Sequence, residues 1–196
     1  MKHRAKHLLL FVLMAGLLAC KKKVEVEPEL QLLENASIES PNMDWQFRYV
    51  GNVTGNPNDC DGAYSLDVHA TPPYALRIGC SSASNTSIFS YWFQTVNAPP
   101  LPAGKRLVLK AKVRVDDVKG QGIALVLRGD RNGQSQPVFF STTENNTLIR
   151  GTSDFTEYTL MTEPITGSVD RLQVFMVYLR NTTGTAYYDD ITLTAR

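Results

Sequence analysis

Apolar and polar residues alternate along KRLVLKAKVRV, so that Leu107, Leu109, Ala111, Val113 and Val115 share one face while Lys110, Lys112 and Arg114 take the other. A period of two belongs to a half-buried β-strand. The same reading predicts strands over 63–70, 74–79, 87–96, 122–129, 137–142, 154–163, 171–180 and 186–195. Between them stand GNPNDCDG, NAPPLPAG, GDRNGQ, TTENN and RNTTG, clusters of Gly, Pro, Asn and Asp that turn a chain. No long amphipathic helix and no internal repeat is visible. Many short strands with turns at this spacing predict an all-β fold, a two-sheet antiparallel β-sandwich of the jelly-roll kind.

One strand breaks the alternation. RLQVFMVYLR is apolar on both parities, with Leu172, Val174, Met176 and Tyr178 on one face and Phe175, Val177 and Leu179 on the other. Only a strand covered on both sides tolerates that. In a two-sheet sandwich the second face is either roofed by a loop or is the floor of a groove, so this strand is a candidate ligand platform.

The front of the chain is different. A basic stretch with Lys2, Arg4 and Lys6 precedes an apolar run over 8–19 that is too short to span a membrane and reads as a signal peptide. The run ends in Leu17, Leu18, Ala19 and Cys20, which resembles a bacterial lipobox, where the cysteine is lipidated and becomes the mature N-terminus. The expected organisation is a lipoprotein signal peptide over 1–19, a lipidated Cys20 with a tether over 20–34, and one domain over 35–196. That domain of about 160 residues is long enough to bury its own core. Lys21, Lys22 and Lys23 lie either against anionic headgroups or in a solvated spacer. Lys21 after the cysteine is not an inner-membrane retention signal of the aspartate type, so resemblance to known sorting favours the outer membrane.

Removing 1–19 takes away three basic residues and no acidic ones, leaving 17 Lys and Arg against 19 Asp and Glu, a net charge of −2. The remaining basic residues are scattered, which argues against nucleic acid as a partner. With Cys20 acylated, Cys60 and Cys80 remain, and in an oxidising compartment two such cysteines favour a disulfide over free thiols.

Several landmarks together resemble carbohydrate-binding modules of the family 4, 9 and 22 type: Leu32-Leu33, Asn35, Ile38-Glu39 and Trp45 near the start, then GAYSLDVHA, WFQTVNAPPLPAGKRLVLKAKVRV, GTSDFTEYTL and the closing GTAYYDDITL. Phe155 stands where the family usually has Trp, and Ile38 where it favours Phe. The resemblance implies a galactose-binding-domain-like jelly roll, with Trp45 in the core. It also implies a structural calcium ion where the N-terminal segment meets the last strand, and Glu39, Asp189 and Asp190 are the residues carried over as ligands. Of the adjacent pair, strand alternation puts Asp189 inward with Ile191 and Leu193. The alternative is a pair of carboxylates capping a turn without metal. The NDCDG loop could add oxygens or be a turn pinned by the disulfide.

Catalytic chemistry has little to draw on. The only histidine after the signal segment is His69, and no GxSxG, HExxH or phosphate-cradling glycine loop occurs. Neighbouring carboxylates such as Asp116 and Asp117 cannot face each other across a glycosidic bond. Sugar binding is better provided for, since it uses aromatic platforms with planar amide or guanidinium groups. Tyr91, Trp92 and Gln94 in SYWFQTV, Arg128, and Tyr178 are the candidate carbohydrate contacts, each aromatic being equally suited to core packing. The expected function is non-catalytic glycan or polysaccharide binding by an envelope lipoprotein. With no catalytic domain after the last strand, it would present glycan to separate envelope enzymes. The rival is a structural or protein-interaction jelly roll without a sugar site, which buried Trp92, Tyr91 and Tyr178 rings would favour.

Overall fold

The computed structural model describes residues 29–50, 60–81, 89–99, 101 and 104–196, and all its regular elements are strands. They are β1 (Gln46–Val50), β2 (Cys60–Ser65), β3 (Ala75–Cys80), β4 (Phe89–Asn97), β5 (Leu107–Asp130), β6 (Phe139–Thr142), β7 (Ile149–Met161), β8 (Arg171–Tyr178) and β9 (Thr183–Ala195). The expected signal peptide, Cys20 and most of the tether lie outside the described residues.

All pairings are antiparallel, and β5 belongs to two layers. Its first half lies between β7 and β9, its second half between β8 and β6. One layer therefore runs β1-β4-β8-β5-β6 and the other β7-β5-β9-β3-β2. The crossing comes where the register of β5 slips between Asp116 and Ile123. Gly120 there has φ +89°, and a Cβ on it would meet the carbonyl oxygen of Asn181. Only glycine accommodates both the turn and the close approach.

Inward residues of the two layers make one core. Leu107, Leu109, Ala111, Val113 and Val115 face Leu172, Val174, Met176 and Tyr178, as alternation along each strand requires, and all are at most 1% exposed. Trp45 is buried there too, donating Nε1–H to the carbonyl of Asn35 at 3.2 Å. Cys60 and Cys80 sit directly opposite on β2 and β3 with Cα atoms 4.1 Å apart and form the disulfide.

The folded body starts before Asn35, a correction to the expected boundary. Gln31 bridges Thr194, the Leu32 N–H donates to the Leu193 carbonyl at 2.8 Å, and Leu32 and Leu33 are buried. Two apolar side chains that seal the end of the core cannot belong to a solvated tether. Strand 2 also differs from expectation, spanning 60–65, with residues 66–74 forming a loop that contains His69.

Candidate functional site

Register fixes which side chains share the outer face of the β1-β4-β8-β5-β6 layer, because directly paired residues point the same way. One row across the strands is Arg48, Tyr91, Val177 and Ala124. The next is Gln46, Phe93, Phe175, Val126 and Thr142, and a third contains Thr95, Gln173, Arg128 and Phe140. Tyr91, Phe93 and Phe175 pack on one another with ring centroids 5.3–6.0 Å apart. Over them opens a groove of about 540 Å³, whose apolar floor of Tyr91, Phe175, Val177 and Val126 is bordered by Gln121, Arg128, Glu144 and Arg180.

The second apolar parity of β8 is thus the groove floor. Phe175, Val177 and Leu179 project into it from one side of the strand while Leu172, Val174, Met176 and Tyr178 fill the core from the other. Tyr91 and Arg128, both expected at the site, are brought together here. Burial pushes the Tyr91 phenol above its ordinary value of 10, with Arg48 opposing weakly, so its hydroxyl keeps its proton at neutral pH and can donate to a ligand.

The other three expected contacts lie on the wrong side of the sheet, and this is a correction. Trp92 is 4% exposed, packed between Phe47 and Tyr64, and donates Nε1–H to the carbonyl of Arg77 at 3.0 Å. Gln94 is equally buried: its amide oxygen accepts the Glu34 N–H and its amide nitrogen donates to the Glu34 carbonyl, both at 2.9 Å. It holds the N-terminal segment as a neighbouring strand would. Tyr178 is 1% exposed, with its hydroxyl donating to the Gly184 carbonyl at 2.9 Å. Both apolar parities of β4 are aromatic, and the pair sharing Trp92 and Gln94 turned inward.

Arg128 is positioned by an ion pair with the buried carboxylate of Asp130. Its Nε donates to Oδ1 of Asp130 at 2.7 Å, and Arg171 reaches Oδ2 at 3.0 Å. Burial pushes the Asp130 carboxyl up, but the hydrogen bonds and charges of Arg128 and Arg171 outweigh it and hold the group below 3.8.

The expected calcium ligands do not form a cage. The N-terminal segment does meet the last strand, with the Ile191 N–H donating to the Ala36 carbonyl at 2.8 Å. Asp190, however, has φ +46° and makes a bulge, as three residues of β9 (190–192) follow where β5 advances by two. The bulge resets alternation, so Asp189 lies opposite Lys112 on the outer face while Ile191 and Leu193 point inward. Asp189 is fully buried under the β2–β3 loop, where its Oδ2 accepts the N–H groups of Ala70 at 2.7 Å and Thr71 at 2.8 Å, and Oδ1 accepts that of Asp190 at 2.7 Å. Asp190 binds the Thr71 hydroxyl at 2.9 Å and the Lys112 ammonium at 2.7 Å. Glu39 is exposed and accepts from the Ser37 hydroxyl at 3.1 Å. Donors already occupy these carboxylates, and a lysine beside them repels a cation. Among the described residues no group of three or more His, Cys, Asp or Glu is placed to hold a metal.

Expectation from sequence raised the Phe175, Val177 and Leu179 face as a possible groove floor without naming those residues as contacts, and missed Phe89, Gln121, Val126, Phe140, Glu144 and Arg180. The signal for the first three was the double apolarity of β8.

No family model matches the chain, and no curated protein matches it in sequence. Solved structures do resemble it. The enzymatically active domain of tailspike protein 4 from bacteriophage CBA120 aligns with 85% of the chain at 11% identity and a TM-score of 0.59. The CBM22-1-GH10 modules of Clostridium thermocellum xylanase 10B, complexed with xylohexaose, align with 85% at 13% identity and a TM-score of 0.54. A family 4 carbohydrate-binding module aligns with 84% at 15% identity and a TM-score of 0.52. The chain spans 21% of the tailspike, 28% of the xylanase and 99% of the family 4 module. The chain has the two-sheet jelly-roll fold of the carbohydrate-binding modules of families 4 and 22.

Proposed function

We propose that the protein binds carbohydrate without acting on it, in the groove over Tyr91 and Phe175, and is held at the bacterial outer membrane through a lipid on Cys20. The observation that carries the binding reading is a sheet face turned to solvent yet floored by Tyr91, Phe93, Phe175, Val177 and Val126, with guanidinium, amide and carboxylate groups only at its border. Sugar rings have apolar faces and fixed hydroxyls, and that division of labour suits them. The likeness in fold to the family 4 module and to the xylanase complexed with xylohexaose supports the same reading. Among the described residues Glu144 is the groove's one carboxylate not engaged in an ion pair, whereas glycoside hydrolysis uses two, about 5–9 Å apart. Separate envelope enzymes would then act on the captured glycan.

The test is a panel of soluble polysaccharides in affinity electrophoresis, run with the wild type and with Tyr91→Ala and Phe175→Ala. Retarded migration of the wild type by at least one polymer, lost in both variants while their circular dichroism stays unchanged, is the expected result. Wild-type protein that no glycan retards would favour the rival, a structural or protein-interaction subunit. For the anchor, radiolabelled palmitate is expected on the wild type and absent from Cys20→Ala.

A further inference from the structure

The groove is lined unevenly in charge. Of the lining residues, Arg128 stands across from Phe140 on β6 and Arg180 follows Leu179 just beyond β8; Arg48, across from Tyr91 on the edge strand β1, lies outside the lining and donates to the Gln46 side chain at 3.2 Å. The Arg180 guanidinium lies 4.8 Å from the centroid of Phe89, a cation–π contact that fixes it at the end of the groove. Among the described residues neither Arg48 nor Arg180 has a carboxylate within salt-bridge distance. Arg128 and Arg171 share the single carboxylate of Asp130, which Arg128 reaches through Nε while also lining the groove. Against these stands Glu144. Among the described residues the groove thus has two lining guanidiniums against one lining carboxylate, in a chain that after residue 19 carries more acidic than basic residues.

We propose that the groove selects an anionic polysaccharide, one whose units carry a uronate carboxylate or a sulfate ester, with ring faces on Tyr91 and Phe175 and anionic groups on Arg128 and Arg180. The proposal rests on the groove being a glycan site and names the class of glycan. Guanidinium groups offer paired N–H donors and no acceptor, which matches a carboxylate or sulfate and wastes half the capacity of a neutral sugar hydroxyl. Length argues for a polymer. The rows of Arg128 and Leu179 are six residues apart along the line of β8, about 20 Å of backbone at strand rise, which is room for a ligand of several sugar units. Ionic screening over about 10 Å at 0.1 M salt means that direct contacts, not the distant field, must supply the preference.

Two matched pairs of polymers test this at fixed ionic strength: polygalacturonate against its carboxyl-reduced form, and a sulfated galactan against its desulfated form. The charged member of at least one pair is expected to bind about tenfold tighter by titration calorimetry, the order of one charge-assisted contact, and the pair that shows the gap identifies the anion. Arg180→Gln is expected to shrink that gap, the charged polymer losing more affinity than the uncharged one; Arg128→Gln should do the same, and since it also disturbs Asp130, Arg180→Gln is the cleaner reading. Equal binding of charged and uncharged polymers overturns the proposal and leaves the glycan reading standing. Binding to none of the four, nor to any polymer of the broader panel, removes the glycan reading itself.

Discussion

The carboxylate of Asp189 and the backbone N–H of Thr71, 118 residues apart in sequence, meet at 2.8 Å. The same oxygen takes the N–H of Ala70, so one buried side chain pins the loop between β2 and β3 to the last strand. Replacing it by Asn puts an amide donor where backbone donors already point. Asp189→Asn is expected to cost about 1–3 kcal/mol, the range for leaving a buried backbone donor without its acceptor, measured as a lower urea midpoint at unchanged slope.

Calcium should leave stability alone. A cation bound only by the folded state at 100 times its dissociation constant would add about 2.7 kcal/mol. Asp189 and Asp190 already accept from Ala70, Thr71 and Lys112, and Glu39 is turned to solvent. Thermal midpoints in excess chelator and in millimolar calcium are therefore expected to coincide. A rise of several degrees with calcium would contradict the arrangement described.

Trp92 and Tyr91 should separate fold from binding. Trp92→Ala removes a ring locked between Phe47 and Tyr64, and the expected cost is about 3–5 kcal/mol by denaturation. Tyr91→Ala opens a position already at the groove surface, so its midpoint should fall much less while glycan retardation disappears. Equal destabilisation by the two would mean the faces have been assigned wrongly.

Acid should reveal two carboxylates of opposite sign. Asp130 is held below 3.8 in the fold, so its contribution is present above the unfolded value of 3.8 and lost as pH falls through the lower folded one. For Asp189 burial outweighs its three backbone hydrogen bonds and the pKa is raised, so that contribution is full below 3.8 and declines as pH rises through the folded value. In urea titrations from pH 2 to pH 7, Asp130→Asn should lose stability relative to wild type mainly at the upper end. The Asp189→Asn deficit should instead be smaller at the upper end than at the lower. A pH-independent difference for Asp130→Asn would disprove the ion-pair account.

The sandwich was legible because alternation of the kind seen at Leu107 to Val115 has one structural meaning, and the docking of the N-terminal segment on the last strand followed from family resemblance. The facing of β4 was not. Tyr91 and Phe93 on one parity and Trp92 on the other are all aromatic, so periodicity offers no preference, and the polar Gln94 has the character of a surface residue, its burial depending on Glu34 satisfying both ends of its amide. Asp190 hid a second fact. A bulge shows in a two-residue hydrophobic pattern only as a slip of phase, here from Ala186 and Tyr188 to Ile191 and Leu193, and it put Asp189 on the opposite face from the one that counting back from Ile191 assigns. The start of the body at Leu32 and Leu33 is not legible because Glu27, Glu29 and Glu34 around this short apolar stretch give it the composition of a solvated tether.

Strand β8 has its two sides assigned to different tasks: Leu172, Val174 and Met176 hold the layers together while Phe175 and Val177 meet whatever enters from solvent. Descendants of this sequence can therefore exchange the groove-side pair and retune what they capture without opening the core between the layers, the cost being limited to contacts with Ala124, Val126, Tyr91 and Phe93. The intervening positions have no such freedom, so diversity along this segment should itself alternate, residue by residue.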